Sequence, residues 1–238
     1  MSILFHCTFK NSSKWITKIK RRFKNKKIIS IYDTDKFNEV DIAIVWNLPQ
    51  DILTKLPKLK IIFSLGAGVD HILRLNDYKA TPIVRIKDPL MGELMYYYVL
   101  SQILNYQVGI NQYKIAQNKK IWIKEILPKF NKDLTVGILG FGYLGSIVAN
   151  SLKKNNYKII GYKKNQLKNS HFKMYYGNQL NKFVKSSDIL INILPNTNAT
   201  TNFINSNVLS FMKKKSLFIS IGRGSTVNEN DLVKYLKK

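Results

Sequence analysis

Short apolar runs alternate with stretches of helical spacing along the first hundred residues. In residues 12–23 apolar side chains recur every three or four positions, and Ser12 and Ser13 are candidate caps for this helix. Two shorter helices are predicted at residues 49–55 and 69–75. Strands that alternate with helices are typical of an α/β unit with a mainly parallel sheet. The apolar runs that predict the strands are residues 2–7, 27–32, 41–46, 59–65 and 83–86.

A longer apolar segment occupies residues 90–118, which contain no proline and only two glycines. Its large apolar residues repeat at intervals of three or four, and this spacing predicts one or two long helices. The polar residues 131–133 then separate this segment from a second series of apolar runs. We therefore predict a first domain at residues 1–100, a connection at 101–132 and a second domain at 133–238.

The second domain begins with an apolar run that leads into a glycine-rich turn at residues 140–145. Helices are predicted at residues 146–153 and 206–212, and Asn228 is a candidate cap for a last helix at 229–236. This alternation again indicates an α/β unit. The apolar runs that predict its strands are residues 134–139, 158–162, 172–176, 188–194 and 216–221.

Basic residues outnumber acidic ones, 39 to 14, which gives a formal net charge of +25. Only five of the basic residues are arginine, the residue that favours bidentate contacts with phosphates and bases. The scattered lysines therefore indicate a solvated surface, and we expect no nucleic-acid partner. No apolar run is long enough to cross a bilayer, so we expect no membrane partner either. The single cysteine, Cys7, fits a reducing compartment, and we expect a cytoplasmic protein.

The glycine-rich turn contains the pattern G-x-G-x-x-G at Gly140, Gly142 and Gly145. Gly140 permits a tight turn, Gly142 lets a pyrophosphate approach the backbone, and Gly145 lets the helix pack close to the strand. The helix then offers free N–H groups and its positive end to the phosphates. Because an apolar run precedes the pattern and an apolar helix follows it, we predict a dinucleotide site. The alternative is a strand–helix turn that binds no ligand.

The residues after the next strand bear on which dinucleotide is bound. An acidic residue about 20 positions after the glycines usually binds the ribose 2′-hydroxyl of NAD. Here Lys163 and Lys164 occupy that place, and no carboxylate accompanies them. Two cations suit a 2′-phosphate, so NADP(H) is favoured over NAD(H). The alternative is that both lysines reflect the general abundance of lysine in this chain.

Five short segments share their order and spacing with one enzyme family. They are Leu65-Gly66-Ala67-Gly68-Val69-Asp70, Met91-Gly92-Glu93, the glycine pattern, Leu194-Pro195-Asn196-Thr197 and Ile221-Gly222-Arg223-Gly224. With them, nearly the whole chain resembles the D-isomer-specific 2-hydroxyacid dehydrogenases. The resemblance implies an α/β protein with a flavodoxin-like substrate domain followed by an incomplete Rossmann dinucleotide-binding domain. It also implies an oxidoreductase that reduces a small 2-oxoacid to a 2-hydroxyacid with NAD(P)H, as a homodimer when complete.

The resemblance assigns candidate roles to residues of this chain. Arg223 matches the catalytic arginine, whose guanidinium can bind a 2-oxoacid carboxylate and polarise the neighbouring carbonyl. The candidates for substrate binding are Trp46, Ala67, Gly68, Val69 and Met91. The candidates for cofactor binding are Gly140, Gly142, Tyr143, Leu144, Gly145, Tyr162, Lys163, Lys164, Leu194, Pro195, Asn196, Thr197, Ile221 and Gly222. We expect no metal site.

Three of these roles have a plain structural alternative. The loop that spans Gly66 and Val69 could be an ordinary strand–helix turn, and Trp46 could be a core aromatic residue. Arg223 could be an incidental surface arginine. The sequence alone leaves each of these alternatives open.

In the family, substrate binds in a cleft between the two domains and receives a hydride from the nicotinamide, while a histidine oriented by a glutamate donates the proton. Both residues follow the arginine in the family. The histidines of this chain are His6, His71 and His171, and all of them precede Arg223. We therefore expect a C-terminally truncated chain of little or no activity. The alternative to an oxidoreductase is a non-catalytic remnant that only binds NAD(P).

Overall fold

The computed structural model describes residues 1–124, 126–167 and 170–237. Packing divides the chain into two compact units, Met1–Asp88 and Pro89–Lys238. Each unit is built around its own parallel sheet. The domain boundaries expected at residues 100 and 132 stay predictions.

The first unit contains five parallel strands in the order β2-β1-β3-β4-β5. This is the flavodoxin-like order, in which the chain switches direction across the sheet after its second strand. The five predicted strands are confirmed, with ends that differ from the predicted ones by at most two residues. They are β1 (Ser2–Cys7), β2 (Lys27–Ser30), β3 (Val40–Trp46), β4 (Ile61–Ser64) and β5 (Ile83–Arg85).

Two helices accompany this sheet, α1 (Ser12–Arg22) and α2 (Asp70–Leu73). The predicted caps of α1 are wrong, because the helix already includes Ser12 and is preceded by Asn11, whose side chain does not bond to it. The helix expected at residues 49–55 is reduced to a single 3-10 turn, Leu53–Lys55. A buried apolar cluster on the sheet includes Leu4, Ile29, Val45, Ile62 and Ile72.

The second unit contains five parallel strands in the order β10-β9-β6-β7-β8. Counted from β6, this is the order 5-4-1-2-3 of a Rossmann sheet, with β6 in the centre. The predicted α/β class and the Rossmann topology of this part are confirmed. The strands are β6 (Thr135–Leu139), β7 (Lys158–Lys163), β8 (Lys173–Tyr176), β9 (Ile189–Asn192) and β10 (Leu217–Ser220).

The predicted long helical segment forms two helices, because Gly109 adopts a left-handed conformation with a φ of +69°. The helix after the glycine turn begins at Tyr143, three residues before its predicted start. Asn228 caps the last helix as predicted, since its side chain accepts from the Asp231 N–H. The helices are α3 (Pro89–Val108), α4 (Ile110–Asn118), α5 (Tyr143–Lys154), α6 (Leu180–Ser186), α7 (Ser206–Ser210) and α8 (Glu229–Leu236).

Helix α3 carries apolar residues on two opposite sides. One side packs in the core of the second unit with Val99 and Ile103, and Gly92 allows close approach to Ile147 of α5. The other side carries a row of exposed apolar residues. Within the part of the chain that the structure describes, neither α3 nor any other helix combines the length and apolar character needed to span a membrane.

Candidate functional site

The turn after β6 is shaped by its first glycine. Gly140 has a φ of +94°, a left-handed conformation that residues with a side chain rarely adopt. A β-carbon there would also lie 2.6 Å from the carbonyl oxygen of Ile193, in the loop after β9. The Gly142 N–H donates to the Gly140 carbonyl at 2.8 Å and closes the turn. Glycine is thus required at position 140 by its own conformation and by a neighbouring loop.

Gly142 precedes helix α5 and leaves the amino terminus of the helix uncovered. It is the N-cap residue, and no side chain caps this helix. The N–H groups of Tyr143, Leu144 and Gly145 belong to the first turn, so they have no acceptor within the helix. A β-carbon at position 142 would find no heavy atom within 4 Å. The space beside these donors is therefore open.

This arrangement fits the phosphates of a dinucleotide. The N–H groups and the positive end of the helix dipole favour an anion, and the missing β-carbon of Gly142 lets that anion reach the backbone. Gly145 serves packing instead, because a β-carbon there would collide with the Gly140 carbonyl oxygen. The three predicted glycines therefore come together in one turn, and the surroundings of a β-carbon differ at each of them.

The carboxyl end of β7 presents two lysines beside a buried tyrosine. The Tyr162 side chain is buried, and its hydroxyl donates to the Gly177 carbonyl at 2.7 Å. Burial raises the pKa of this hydroxyl. Lys163 is half-buried as the last residue of the strand, and Lys164 is exposed. The positive charge at this strand end thus comes from the lysines, whereas the tyrosine side chain belongs to the core.

Two threonines that the sequence did not single out close the loop after β9. The Thr200 hydroxyl donates to the Pro195 carbonyl at 2.6 Å and accepts from the Thr197 N–H at 2.8 Å. The Thr201 hydroxyl donates to the Asn196 side-chain oxygen at 3.2 Å. These bonds fix the predicted Leu-Pro-Asn-Thr segment as a compact loop. A threonine three residues after the segment is the only sequence signal, and it is weak.

The loop after β10 packs directly on the loop after β9. A β-carbon at Gly222 would lie 2.6 Å from the Leu194 carbonyl oxygen. The N–H groups of Ile221 and Gly222 both donate to the Asn192 carbonyl, at 3.0 and 3.1 Å. Half-buried Arg223 follows and precedes the 3-10 turn Gly224–Thr226. The structure therefore gathers the loops after β6, β9 and β10 at the carboxyl edge of the sheet, where open α/β sheets bind ligands.

In the first unit, Trp46 lies against the predicted glycine loop. A β-carbon at Gly66 would overlap its indole ring, so glycine is required for this approach. The ring stacks on Phe9 with centroids 5.4 Å apart, and its centroid lies 4.3 Å from that of the His71 ring. Trp46 is half-buried rather than fully enclosed. It is thus part of an aromatic stack that borders the loop, a position that suits both the pocket and the core interpretation.

A buried polar network also supports the glycine loop that follows β4. His71 is 2% exposed, its Nδ1 accepts from the Asn47 N–H at 3.2 Å, and its Nε2 lies 2.9 Å from the Ser64 hydroxyl. Because Nδ1 is an acceptor, the proton of the neutral ring is on Nε2. The Ser64 hydroxyl lies 3.1 and 3.0 Å from the carbonyl oxygens of Gly66 and Gly68. His71 and Ser64, neither of which had an assigned role, thus support the loop that contains Ala67, Gly68 and Val69.

The remaining predicted residue, Met91, is half-buried in the first turn of α3, in the second unit. The substrate-binding candidates are therefore divided between the units, since Trp46 and the glycine loop belong to the first. Among the residues that the structure describes, no group of three or more histidine, cysteine or acidic side chains is placed to hold a metal ion.

A flavodoxin-like sheet and a Rossmann sheet with an open glycine turn define a class of two-unit α/β proteins that includes nucleotide-dependent oxidoreductases, and comparison with known proteins specifies the family. Residues 100–238 match a family model described as the NAD-binding domain of D-isomer specific 2-hydroxyacid dehydrogenases. The chain belongs to this family. Members are NAD(P)-dependent enzymes that act on small 2-hydroxyacids and the corresponding 2-oxoacids.

Individual relatives agree with this assignment. The chain is 33% identical over 245 residues to glyoxylate/hydroxypyruvate reductase A of Photorhabdus laumondii and covers 78% of that protein. A probable 2-hydroxyacid dehydrogenase from Rhizobium etli, solved in complex with NADP, is 28% identical with a TM-score of 0.86. An NADPH-dependent glyoxylate/hydroxypyruvate reductase from Sinorhizobium meliloti, solved with NADP and sulfate, is 27% identical with a TM-score of 0.84. Each of these two structures matches 99% of this chain, which spans 77% of theirs.

Proposed function

We propose that this protein binds NADP(H) in the reduction of glyoxylate, hydroxypyruvate or a similar small 2-oxoacid to the 2-hydroxyacid. The observation that carries the proposal is the uncovered amino terminus of α5 beside Gly142. The turn before this helix packs against the loop after β9, which in turn contacts the loop that contains Arg223. Family membership supports the reaction class, and the names of the relatives support the substrate class.

The cofactor is proposed to bind along the carboxyl edge of the second sheet. The N–H groups of the first turn of α5 hold the pyrophosphate, and Lys163 and Lys164 bind the 2′-phosphate of NADP(H). The loop after β9, with Leu194, and the loop after β10, with Gly222, border the nicotinamide end. When bound, the dinucleotide supplies the hydride.

The substrate is proposed to be bound mainly through its carboxylate. The backbone N–H groups of Ala67, Gly68 and Val69 suit an anion, because the glycines of this loop leave them unobstructed. Trp46 and Met91 are proposed to line the substrate pocket. The guanidinium of Arg223 is proposed to bind the carboxylate bidentately and to draw electron density from the neighbouring carbonyl.

We also propose that the protein forms a homodimer through the exposed side of α3. The side chains there recur at helical intervals on one face, and two of the leucines are more than 60% exposed. A stripe of large apolar residues on a helix is costly to leave in water and is typical of an interface. The stripe consists of Leu90, Leu94, Tyr97, Leu104 and Val108.

The role of Arg223 is tested with oxamate, a 2-oxoacid analogue that has an amide in place of the keto group. Oxamate can therefore bind without accepting a hydride, and its binding can be measured apart from the reaction. We expect oxamate to bind saturably in the presence of NADPH, and Arg223→Lys to lose most of that affinity because lysine lacks the planar fork of arginine. NADPH affinity and thermal stability should change little. NADPH oxidation with glyoxylate and with hydroxypyruvate tests the reaction itself. A protein that neither binds oxamate nor oxidises NADPH with either acid would overturn the proposal.

A further inference from the structure

Asn192 is a fully buried amide at the carboxyl end of β9 with every polar group engaged. Its Oδ1 accepts from the Leu194 N–H at 3.1 Å. Its Nδ2 donates to the hydroxyls of Ser220 at 3.0 Å and of Thr226 at 2.8 Å. An amide offers one acceptor oxygen and two N–H donors, and this site uses all of them. A buried polar side chain whose donors and acceptors all have hydrogen-bond partners fixes the groups around it in one arrangement.

Thr226 continues this network towards the arginine. It is 0% exposed, and its hydroxyl accepts from Asn192 and donates to the Arg223 carbonyl at 2.6 Å. The Thr226 N–H donates to the same carbonyl at 3.0 Å. A hydroxyl has one proton, so the Asn192 donor leaves that proton free for Arg223. The direction of every hydrogen bond from Asn192 to Arg223 is therefore determined.

The network links two loops that have separate tasks in the proposed function. Asn192 fixes the start of the loop after β9 through Leu194, and it fixes the backbone before Arg223 through its own carbonyl. Thr226 fixes the backbone of Arg223 itself, through the Arg223 carbonyl. Small displacements weaken both hydrogen bonds of a bidentate contact, so a fixed backbone at Arg223 reduces the freedom that its guanidinium must lose on binding a carboxylate.

We infer that Asn192 and Thr226 are positioning residues that orient Arg223 towards the substrate carboxylate. The inference rests on the proposed function of Arg223. Both residues are fully buried, so in this inference they act through the arginine backbone and not by touching the ligand. Their removal should weaken the binding of a 2-oxoacid without weakening the binding of the dinucleotide to the same extent.

The experiment compares Thr226→Val, which removes only the hydroxyl function, with Thr226→Ser, which keeps it. Ser220→Ala is the matched control, because it removes the other acceptor of Asn192 Nδ2 and lies off the path to Arg223. For each protein, the oxamate affinity is measured at saturating NADPH, together with NADPH affinity and the melting temperature. We expect Thr226→Val to lose about threefold to tenfold in oxamate affinity, the value of one buried hydrogen bond.

We expect Thr226→Ser to retain the parent oxamate affinity and Ser220→Ala to change it by less than about twofold. Equal oxamate affinity in Thr226→Val and the parent overturns the inference, as does an equal loss in Ser220→Ala, which would indicate a general effect on stability. A parent chain whose oxamate binding is absent, or is unaffected by Arg223→Lys, overturns the proposed function, and the inference falls with it.

Discussion

At the scale of single residues, two glycines of the same turn differ in what surrounds the position of a β-carbon. Gly142 has open space where a β-carbon would be, and its φ of −97° is accessible to alanine. Gly145 has the Gly140 carbonyl in that place. The free space at Gly142 is the space that a pyrophosphate is proposed to fill, whereas the contact at Gly145 is internal to the fold.

We predict that Gly142→Ala and Gly145→Ala separate binding from stability. Gly142→Ala should weaken NADPH binding by at least about tenfold, because its methyl group meets the phosphates. The accompanying loss of stability should stay below about 1 kcal/mol, as for other changes at a helix N-cap. Gly145→Ala should cost about 1–3 kcal/mol through overpacking. Fluorescence titration with NADPH and denaturant unfolding measure the two effects. A stable Gly145→Ala protein, or unchanged NADPH affinity in Gly142→Ala, would contradict this division of roles.

Lys163 and Lys164 are predicted to select between the two dinucleotides. Replacing both with alanine should reduce the preference for NADPH over NADH by about tenfold or more, because each lysine–phosphate contact is charge-assisted and worth about 1.5–3 kcal/mol. Dissociation constants for both reduced cofactors give the ratio. Lys158→Ala, at the amino end of the same strand, is the control for general loss of charge. Tighter binding of NADH than NADPH by the parent chain would refute the proposed preference.

The residues that could be predicted from the sequence are those with a local signature. Gly140, Gly142 and Gly145 follow from their spacing between an apolar strand and an apolar helix. Asn192 and Thr226 had no such signature, since the bond between them joins residues 34 positions apart. Their roles depend on the pairing of β9 with β10, which brings two distant loops together, and no short motif contains that information.

At the scale of secondary structure elements, Asp188 joins three strands at the amino edge of the second sheet. Its Oδ2 accepts from the Thr135 N–H at 2.8 Å, and its Oδ1 receives the Lys213 ammonium at 2.8 Å. Its backbone also bonds to Thr135 and Leu217. Burial opposes ionisation of this carboxyl, but the Lys213 and Thr135 bonds prevail and lower its pKa.

A lowered carboxyl pKa in the folded state makes stability depend on acidity. The contribution of Asp188 is present above the usual carboxyl range and is lost as the pH falls through the folded-state pKa, so the loss lies below about pH 4. We predict that Asp188→Asn is less stable than the parent at neutral pH and loses less stability between neutral and acid conditions. Urea unfolding over this range measures both. Asp133→Asn, at an exposed carboxyl, should parallel the parent, and a parallel Asp188→Asn curve would disprove the argument.

Strands could be predicted better than helices in this chain. The central strands of a parallel sheet are buried on both faces and the edge strands on at least part of their surface, so strands appear as apolar runs, and all ten predicted strands are present. Helix α6 was missed although Leu180, Phe183 and Val184 have helical spacing. It has only seven residues, too short for a clear periodic pattern. Its packing against the sheet, rather than its own sequence, determines that it forms.

At the scale of the whole molecule, the exposed side of α3 predicts an assembly. We expect the protein to be a dimer at micromolar concentration, and Leu94→Glu with Leu104→Glu to shift it to the monomer. Burial of one leucine is worth about 1.5–3 kcal/mol, and each replacement removes that contribution. Each also introduces a carboxylate that would be buried without a partner in the dimer, so the two changes together should dissociate a moderate interface. Light scattering after size-exclusion chromatography gives the mass. Tyr32→Glu, at an 86% exposed aromatic residue of the first unit, is the control and should remain dimeric. A monomeric parent would exclude this interface.

Gly140, the Ile193–Leu194 backbone and Gly222 touch so closely that no methyl group fits between the three loops. Loops packed in this way become ordered together. The first ligand to bind therefore carries most of the conformational entropy cost of ordering all three. In the proposed reaction the dinucleotide contacts all three loops, whereas the 2-oxoacid contacts only the loop after β10, through Arg223. The cofactor and the acid should therefore strengthen each other's binding, and by the same factor. The close packing at Gly140 and Gly222 is thus expected to couple the binding of the two ligands.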